Sequence, residues 1–231
     1  MTSIEAARIG KTGRHRRLST VAGIAIVMIA FGAPFAGAEA LKPVQLPPPQ
    51  TDGGKPLMQA LKQRSTSRDF ATDPLPLQTL SNLLWAAWGI NRPGEGRRTA
   101  PSARNWQEID LLLVDAKGVW RYEPAANTLV PLVTGDLRPL AGMQEFVKDA
   151  PVTLLLVGDP TRMKGSEAAT REAYAWSDAA FISQNIYLFC ASEGLATGVR
   201  AMVDRPALAK ALGLGADKII AFAQSVGFPR R

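Results

Sequence analysis

The feature that most constrains the fold is a long stretch between Glu167 and Ser192 that contains neither proline nor glycine. Apolar residues recur there at helical spacing, and Gly194 follows where a helix would end. The stretch carries more apolar positions than one core-facing stripe needs: Phe181, Ile182, Ile186, Leu188 and Phe189. A helix that is apolar on more than one face must bury both faces. We therefore predict a long helix that packs on the core and against a second copy of the chain, as a homodimer.

Strand and helix patterns intermix along the rest of the chain. We predict strands over residues 109–114, 119–122, 128–133, 152–157, 197–203 and 219–226. We predict further helices over residues 77–88, 137–147 and 206–212, and a flexible loop over residues 91–98. The absence of strict strand-helix-strand alternation indicates the α+β class.

The first forty residues have the three regions of a signal peptide. A basic region ends at Arg16-Arg17, an apolar run extends from Leu18 to Gly32, and Ala38-Glu39-Ala40 fits a cleavage site. We predict cleavage after Ala40, a periplasmic or secreted location and no stable membrane insertion after cleavage. An uncleaved anchor is the alternative, although the apolar run is short for a span. General secretion and twin-arginine export both stay open, because the arginine pair is present without the expected aromatic residue.

A proline- and glycine-rich segment over residues 41–54 follows the leader. It contains Pro47-Pro48-Pro49 and Gly53-Gly54, and we predict an extended, poorly packed linker. The globular domain then covers residues 55–231. Beyond residue 40 the chain has 22 basic and 18 acidic residues and no basic run. This mild excess favours an anionic cofactor or substrate over a nucleic acid.

Histidine and cysteine are nearly absent. The only histidine, His15, lies in the leader, and the only cysteine, Cys190, lies in an apolar run. The predicted mature chain therefore has no Ser-His or Cys-His pair, no histidine-based metal site and no intrachain disulfide. We predict no metal site and assign no catalytic side chain. Any difficult chemistry must come from carboxylates or from a bound cofactor.

The stretch from residue 64 to residue 70 has the residue types that bind phosphate. Arg64 and Arg68 flank Ser65, Thr66 and Ser67. Guanidinium groups make bidentate, charge-assisted hydrogen bonds to phosphate oxygens, and hydroxyl groups supply further donors. The stretch follows a short apolar-periodic segment, so we predict a phosphate cradle at the end of a first helix. By its residues alone, a polar solvated turn remains the alternative.

With these patterns in place, the chain resembles the FMN-dependent nitroreductase family over residues 55–229. The resemblance is carried by four motifs in order: Arg64-Ser65-Thr66-Ser67-Arg68-Asp69-Phe70, Pro101-Ser102-Ala103-Arg104-Asn105-Trp106-Gln107, Gly194-Leu195-Ala196-Thr197 and Val226-Gly227-Phe228-Pro229. Each motif is weak alone, but four at plausible spacing are fairly specific. Within the family, Gly118-Val119-Trp120-Arg121-Tyr122 and Ala150-Pro151-Val152 are most similar to the SagB-type dehydrogenase branch.

The resemblance implies a fold and a set of FMN contacts. The fold is a mostly antiparallel sheet flanked by helices, with a long helix at a dimer interface. The implied phosphate ligands are Arg64, Ser65, Thr66 and Arg68. The stretch containing Pro101, Ser102, Ala103 and Asn105 would reach the flavin of the neighbouring subunit. Arg200, Ala201 and Met202 stand where the family has a small-residue stretch whose backbone approaches the isoalloxazine, and Arg200 would add a cation there.

The implied function is FMN-dependent oxidoreduction of a small organic substrate. Hydride from NAD(P)H or from an organic donor would reduce flavin N5, and ping-pong turnover would follow in one open cleft. Two alternatives stay open: a non-enzymatic flavin- or partner-binding module of the same fold, and a SagB-type azoline oxidase acting on a peptide. A likeness of fold does not decide between these functions.

Overall fold

A computed structural model describes residues 40–230 of the chain, so most of the predicted leader, as well as Arg231, lies outside the described residues. The helices are α1 (Leu57–Gln63), α2 (Leu77–Trp88), α3 (Ala168–Glu193) and α4 (Arg205–Leu212). The strands are β1 (Val44–Gln45), β2 (Ile90–Arg92), β3 (Arg97–Arg98), β4 (Ile109–Val114), β5 (Gly118–Glu123), β6 (Thr128–Thr134), β7 (Val152–Gly158), β8 (Ala196–Arg200) and β9 (Ile219–Gly227). Within residues 40–230, no helix is long and apolar enough to cross a membrane.

Seven strands form one sheet in the order β1-β6-β5-β4-β7-β9-β8. Every neighbouring pair in it is antiparallel. Strands β4, β5 and β6 follow each other through short turns, and the Asp115 carboxylate stabilises the first turn by accepting from the Lys117 and Gly118 N–H groups. Strand β7 is buried along its whole length, because both faces of the sheet are covered. The predicted α+β fold is confirmed.

Successive side chains of the central strands point to opposite faces of the sheet, so the core has two layers. On one face, Leu113 of β4 and Leu154 of β7 pack in a cluster with Ile182 and Ile186 of α3, and this cluster also contains the apolar face of α2. On the other face, the core is a smaller cluster around α4 that includes Leu112, Leu155, Val157 and Leu208. Each apolar side chain buried in this way contributes roughly 1.5–3 kcal/mol.

The long helix α3 is confirmed at nearly its predicted bounds. It ends because Gly194 takes the left-handed conformation, at φ 72°, and its N–H bonds the Cys190 carbonyl. Cys190 is fully buried, and burial raises the pKa of its thiol. While its core face is buried, α3 leaves Phe181 49% exposed. The second apolar face is thus uncovered within one chain.

The helix predicted over residues 137–147 is wrong. The chain forms two short 3₁₀ turns instead, Arg138–Leu140 and Glu145–Lys148. The carbonyl of Ala141 accepts from Arg200 Nε at 2.9 Å and is not used in a helix. A Cβ on Gly142 would lie 2.3 Å from Arg200 Nε. The backbone therefore opens here to approach a buried guanidinium.

Three smaller predictions also need correction. Residues 91–98 are not a plain loop, because β2 and β3 pair as a hairpin there. The predicted strand over 197–203 ends at Arg200. Residues 41–54 are extended but not poorly packed over their first half: Val44 pairs with Leu129 of β6, and Leu46 is buried. The apolar residues between the prolines made this packing possible.

Candidate functional site

The arginine segment, residues 64–68, lies where α1 ends and the chain crosses α3 and β8. The Arg64 guanidinium is 5.3 Å from the centroid of the Tyr187 ring. The Thr66 hydroxyl is 2.9 Å from the Tyr187 hydroxyl, and the Ser67 N–H donates to the Thr197 carbonyl at 2.9 Å. The segment is therefore fixed against the edge strand of the sheet.

Tyr187 joins the two elements of this site. Its hydroxyl accepts from the Val199 N–H of β8 at 3.0 Å, so its proton is available for Thr66 Oγ1. The Tyr187 residue is 7% exposed, so few solvent molecules compete for these bonds. Sequence reasoning missed this residue, whose only sign in the sequence was its place near the end of the long helix.

Several donors of the arginine segment have no partner within the described chain. The side chains of Ser65 and Arg68 are exposed and make no hydrogen bond or ion pair with any of residues 40–230, and the Arg64 side chain makes only the ring contact. Close approach of the segment to β8 depends on Gly198, where a Cβ would lie 3.0 Å from the Ser67 carbonyl oxygen. The segment thus presents two guanidinium groups and a hydroxyl on a fixed backbone, a donor set suited to a phosphate.

The three residues after Val199 do not behave alike. Arg200 is buried, and its guanidinium bonds the Ala141 carbonyl and the Ser225 and Thr153 hydroxyls. Burial lowers the pKa of Arg200 to about 10. At least three guanidinium N–H groups of Arg200 are therefore used inside the protein, and a contact of Arg200 with a flavin stays a prediction. Ala201 and Met202 are exposed and stay available at the surface.

The Pro101 loop, residues 101–107, is a second candidate region with an unusual backbone. Arg104, Asn105 and Gln107 have φ values of 49°, 56° and 50°, a conformation that non-glycine residues seldom adopt. The Ser102 hydroxyl accepts from the Gln107 N–H at 2.8 Å. Pro101 and Asn105 are exposed. Ser102 therefore shapes the loop from inside, while Asn105 faces outward.

Two buried carboxyl groups support this loop from below. Asp178 of α3 accepts from the Ala103 N–H at 2.9 Å, and Glu108 accepts from the Ser102 hydroxyl at 3.2 Å. The two acids are in hydrogen-bonding contact with each other, and burial together with this contact raises the pKa of Glu108 to about 7. A pairing of Asp178 with a basic group, the natural expectation for a buried acid, is not what the structure contains.

Arg230, the last residue that the structure describes, has partners far away in the sequence. It bonds the Asp69 and Asp149 carboxylates at 3.0 and 3.2 Å and the Phe70 carbonyl. These bonds connect the residues just after the arginine segment to the segment that follows β9. Because these partners are distant in the sequence, no local sequence pattern predicts the pairing.

The arginine segment and the Pro101 loop are not brought together within one chain. The first contacts Tyr187 and the second contacts Asp178, both on α3. Nine residues of helix separate these positions, a distance of roughly 13 Å along the axis. One subunit therefore does not assemble the complete set of predicted site residues at one point.

Comparison with known proteins gives the family of the chain. The model of the nitroreductase family matches residues 61–228, which include both regions. The chain belongs to the nitroreductase family. A nitroreductase crystal structure from Ralstonia eutropha is 38% identical, with a TM-score of 0.78, and the match covers 82% of this chain and 90% of that one.

Two further proteins are similar to this nitroreductase-family chain. A nitroreductase relative from Methanocaldococcus jannaschii is 27% identical over 151 residues, which is 61% of this chain and 76% of the relative. A crystal structure from Desulfovibrio desulfuricans, solved in complex with FMN, shares the fold at 20% identity and a TM-score of 0.56, covering 78% of this chain and 89% of that one. The predicted family is confirmed. The likeness to the SagB-type branch stays a prediction.

Proposed function

We propose that this protein is an FMN-dependent oxidoreductase acting on a small organic substrate. The observation that carries the proposal is the set of unpartnered donors of Arg64, Ser65 and Arg68 within the described chain, fixed on Tyr187 and β8. The family relationship and the FMN complex of a structural neighbour support it. Unpaired guanidinium groups at a rigid site are the feature expected of an anion cradle.

Each residue of the site then has a definite task. Arg64 and Arg68 bind the FMN phosphate, Ser65 donates a further hydrogen bond, and Thr66 fixes the segment through Tyr187. When bound, FMN would supply the redox chemistry, which is hydride transfer at N5 in ping-pong turnover. Ala201 and Met202, which are exposed just after β8, would be available to the ring system. No side chain is assigned an acid or base role.

The second half of the site comes from a partner copy in this proposal. Helices α1 and α3 each expose large apolar side chains, with Leu57 62%, Met58 75% and Phe181 49% exposed. A homodimer covers such side chains, and it also bridges the roughly 13 Å between the two regions by placing one subunit's Asn105 at the other's arginine segment. Pro101, Ser102 and Ala103 provide the backbone that carries Asn105 there.

Subunit complementation tests this arrangement. Arg64→Ala and Asn105→Ala damage the same site from different chains, so mixing the two inactive variants with subunit exchange regenerates one intact site. Recovery of part of the activity is the expected result. A monomer by light scattering that still binds FMN contradicts the arrangement, and a dimer without recovery assigns both residues to one chain's site.

The electron donor and the location are part of the same proposal. We infer export to the periplasm or the exterior from the leader sequence, with NAD(P)H or an organic donor as reductant. Export limits the supply of NAD(P)H, which favours direct oxidation of an organic substrate or electron transfer from a membrane partner. Mass spectrometry of the periplasmic fraction tests export: a chain beginning at Leu41 is expected, and an intact Met1 in the cytoplasm contradicts it.

The spectrum of the purified protein tests the function itself. We expect a flavin absorption spectrum, a stoichiometry of one FMN per chain, and bleaching of the flavin band on addition of a reductant, followed by recovery with an acceptor. A bound flavin that no donor reduces indicates a binding module instead. A colourless protein that takes up no added FMN contradicts the proposal. A peptide azoline oxidase is distinguished by its need for a precursor peptide.

A further inference from the structure

The most unusual polar contact in the described chain is the one between Glu108 and Asp178. Glu108 lies just before β4 and is 0% exposed, and Asp178 on α3 is 2% exposed. Their side chains are in hydrogen-bonding contact. No lysine or arginine among residues 40–230 forms an ion pair with either carboxyl group. Two buried acids in contact without a cation do not both carry a charge, because their repulsion is unscreened, so they share a proton.

The hydrogen bonds show which carboxyl oxygens are already in use as acceptors. Asp178 Oδ2 accepts from the Ala103 N–H, and Glu108 Oε2 accepts from the Ser102 hydroxyl. Glu108 Oε1 is buried and accepts no hydrogen bond from the described residues. This oxygen has no donor to accept from in the described chain, so it is free to carry the proton of the contact with Asp178.

The same network fixes the orientation of Asn105. Arg98 Nε donates to Gln107 Oε1 at 2.8 Å, which sets the orientation of the Gln107 amide. Gln107 Nε2 then donates to Asn105 Oδ1 at 2.9 Å. Because its oxygen is occupied, Asn105 presents its NH₂ group outward as a donor.

We propose that Glu108 and Asp178 are positioning residues whose shared proton holds the Pro101 loop in the conformation that presents Asn105. When the proton leaves, the two carboxylates repel each other, the contacts to Ser102 and Ala103 loosen, and the strained backbone relaxes. This inference rests on the proposed function, in which Asn105 contacts the partner's FMN. It adds a dependence of that contact on pH.

Other charged groups around the pair do not take over its proton. Arg162 donates to the Gln107 carbonyl and pairs with Asp110. Asp159, whose N–H donates to the Glu108 carbonyl, pairs with Lys218 at 2.6 Å. Arg98 bonds Gln107 and the Trp88 carbonyl, and Arg104 lies over the Trp106 ring. None of these groups bonds either carboxyl group within the described chain.

Nuclear magnetic resonance of the FMN-free protein tests the pair without any cofactor. The Ala103 amide donates to Asp178, so its ¹H and ¹⁵N shifts report the charge of the pair. We expect a titration step with a midpoint near neutral pH in the wild type. Glu108→Gln keeps a donor toward Asp178 but cannot ionise, so the step disappears, whereas Glu172→Gln on the exposed side of α3 leaves it unchanged. Asp178→Asn gives the same loss of the step and serves as a second variant if Glu108→Gln does not fold.

FMN binding then tests the positioning role. We measure the dissociation constant for FMN at pH 7 and pH 9, a range above the second phosphate ionisation. The wild type should bind about tenfold more weakly at pH 9 than at pH 7, while Glu108→Gln should change little. The comparison between the two proteins removes any effect of pH on FMN itself.

The outcomes separate the two proposals. An Ala103 amide without a titration step, or a step that survives in Glu108→Gln, overturns the shared proton. If the Ala103 amide titrates as expected but FMN affinity depends on pH equally in the wild type and in Glu108→Gln, the positioning role is overturned. Absence of FMN binding at every pH contradicts the proposed function instead, and the Ala103 titration still decides whether the pair holds the loop.

Discussion

The arginine segment and the Pro101 loop are built in opposite ways. The arginine segment has an ordinary extended backbone and side chains that find few partners in the protein, with Arg68 and Ser65 exposed and unpaired within the described residues. The Pro101 loop has three left-handed residues, and nearly every polar group in it is bonded internally or to Glu108 and Asp178. One region leaves donors unpaired within the described residues, and the other uses its polar groups to maintain a shape.

This difference teaches where each kind of mutation should act. A side chain without protein partners contributes little to folding, so removing it affects a ligand alone. A side chain that holds a strained backbone contributes first to stability and only through the loop to binding. The two regions are therefore distinguished by measuring stability and FMN affinity on the same variants.

The largest effect is expected from Asp178→Ala. It removes the acceptor of the Ala103 N–H and the partner of Glu108, and leaves buried polar groups unpaired, which should lower the free energy of unfolding by about 3–4 kcal/mol. Urea unfolding at fixed protein concentration measures it. Asp178→Asn, which keeps both hydrogen bonds, should stay within about 1 kcal/mol of the wild type. Equal stability of the two variants contradicts the role of the carboxyl pair in the loop.

The next effect is a dependence of stability on pH. The raised pKa of Glu108 means that the folded state holds a proton more tightly than the unfolded state, between pH about 4.5 and about 7. The stabilisation from this group is complete at low pH and is lost as the pH rises through about 7, by roughly 2–3 kcal/mol in total.

Urea unfolding of the wild type and Glu108→Gln at pH 5, 6, 7 and 8 measures this loss. The variant should gain stability relative to the wild type as the pH rises, with a plateau above neutral pH. Glu172→Gln, at an exposed position, serves as the matched control and should follow the wild type. If the wild type instead becomes more stable relative to Glu108→Gln as the pH rises, the predicted direction of the pH dependence is wrong, and so is the shared proton.

In the arginine segment, Arg68→Ala should weaken FMN binding and leave the fold intact. Loss of a charged hydrogen bond weakens binding by about 2 kcal/mol, or roughly 30-fold, while stability should change by less than about 0.5 kcal/mol because the side chain has no partner in the described chain. FMN fluorescence titration and thermal unfolding give the two values. Lys62→Ala, on the exposed side of α1, controls for loss of charge; an equal effect of both changes would remove Arg68 from the phosphate site.

The smallest effect is expected from Tyr187→Phe. Tyr187 both stabilises the fold and holds the arginine segment, so this change should affect stability and FMN affinity together. The Val199 N–H loses its acceptor and Thr66 loses its anchor, so we expect a loss of about 1 kcal/mol in stability together with weaker FMN binding. Tyr174→Phe keeps its ring contact with Trp106 and has no hydroxyl bond to lose within the described residues. Identical behaviour of the two variants would show that the arginine segment does not depend on Tyr187.

Much of the fold could be predicted from the sequence because its elements have local causes. The continuous apolar run of β7 indicates a strand buried on both faces, the breaker-free stretch before Gly194 indicates α3, and Asp115 to Gly118 indicates a hairpin. The arginine segment was also singled out from the sequence, because guanidinium and hydroxyl groups in one short stretch suit a phosphate, and its role as a phosphate site stays a prediction. The helix over 137–147 could not be corrected in advance, because it is replaced by turns that serve Arg200, a residue distant in the sequence.

The sequence by itself determined the class of the fold, the order of its main elements and the family to which the chain belongs. Only the tertiary structure decided that Arg200 is buried, that Arg230 pairs with two aspartates, and that Glu108 meets Asp178. The physical reason is that local propensity and periodicity act over a few residues, whereas the charge and hydrogen bonding of a side chain depend on groups that the fold brings from elsewhere. An acid placed before a strand has an ordinary pattern in the sequence, and only burial beside a second acid makes it hold a proton.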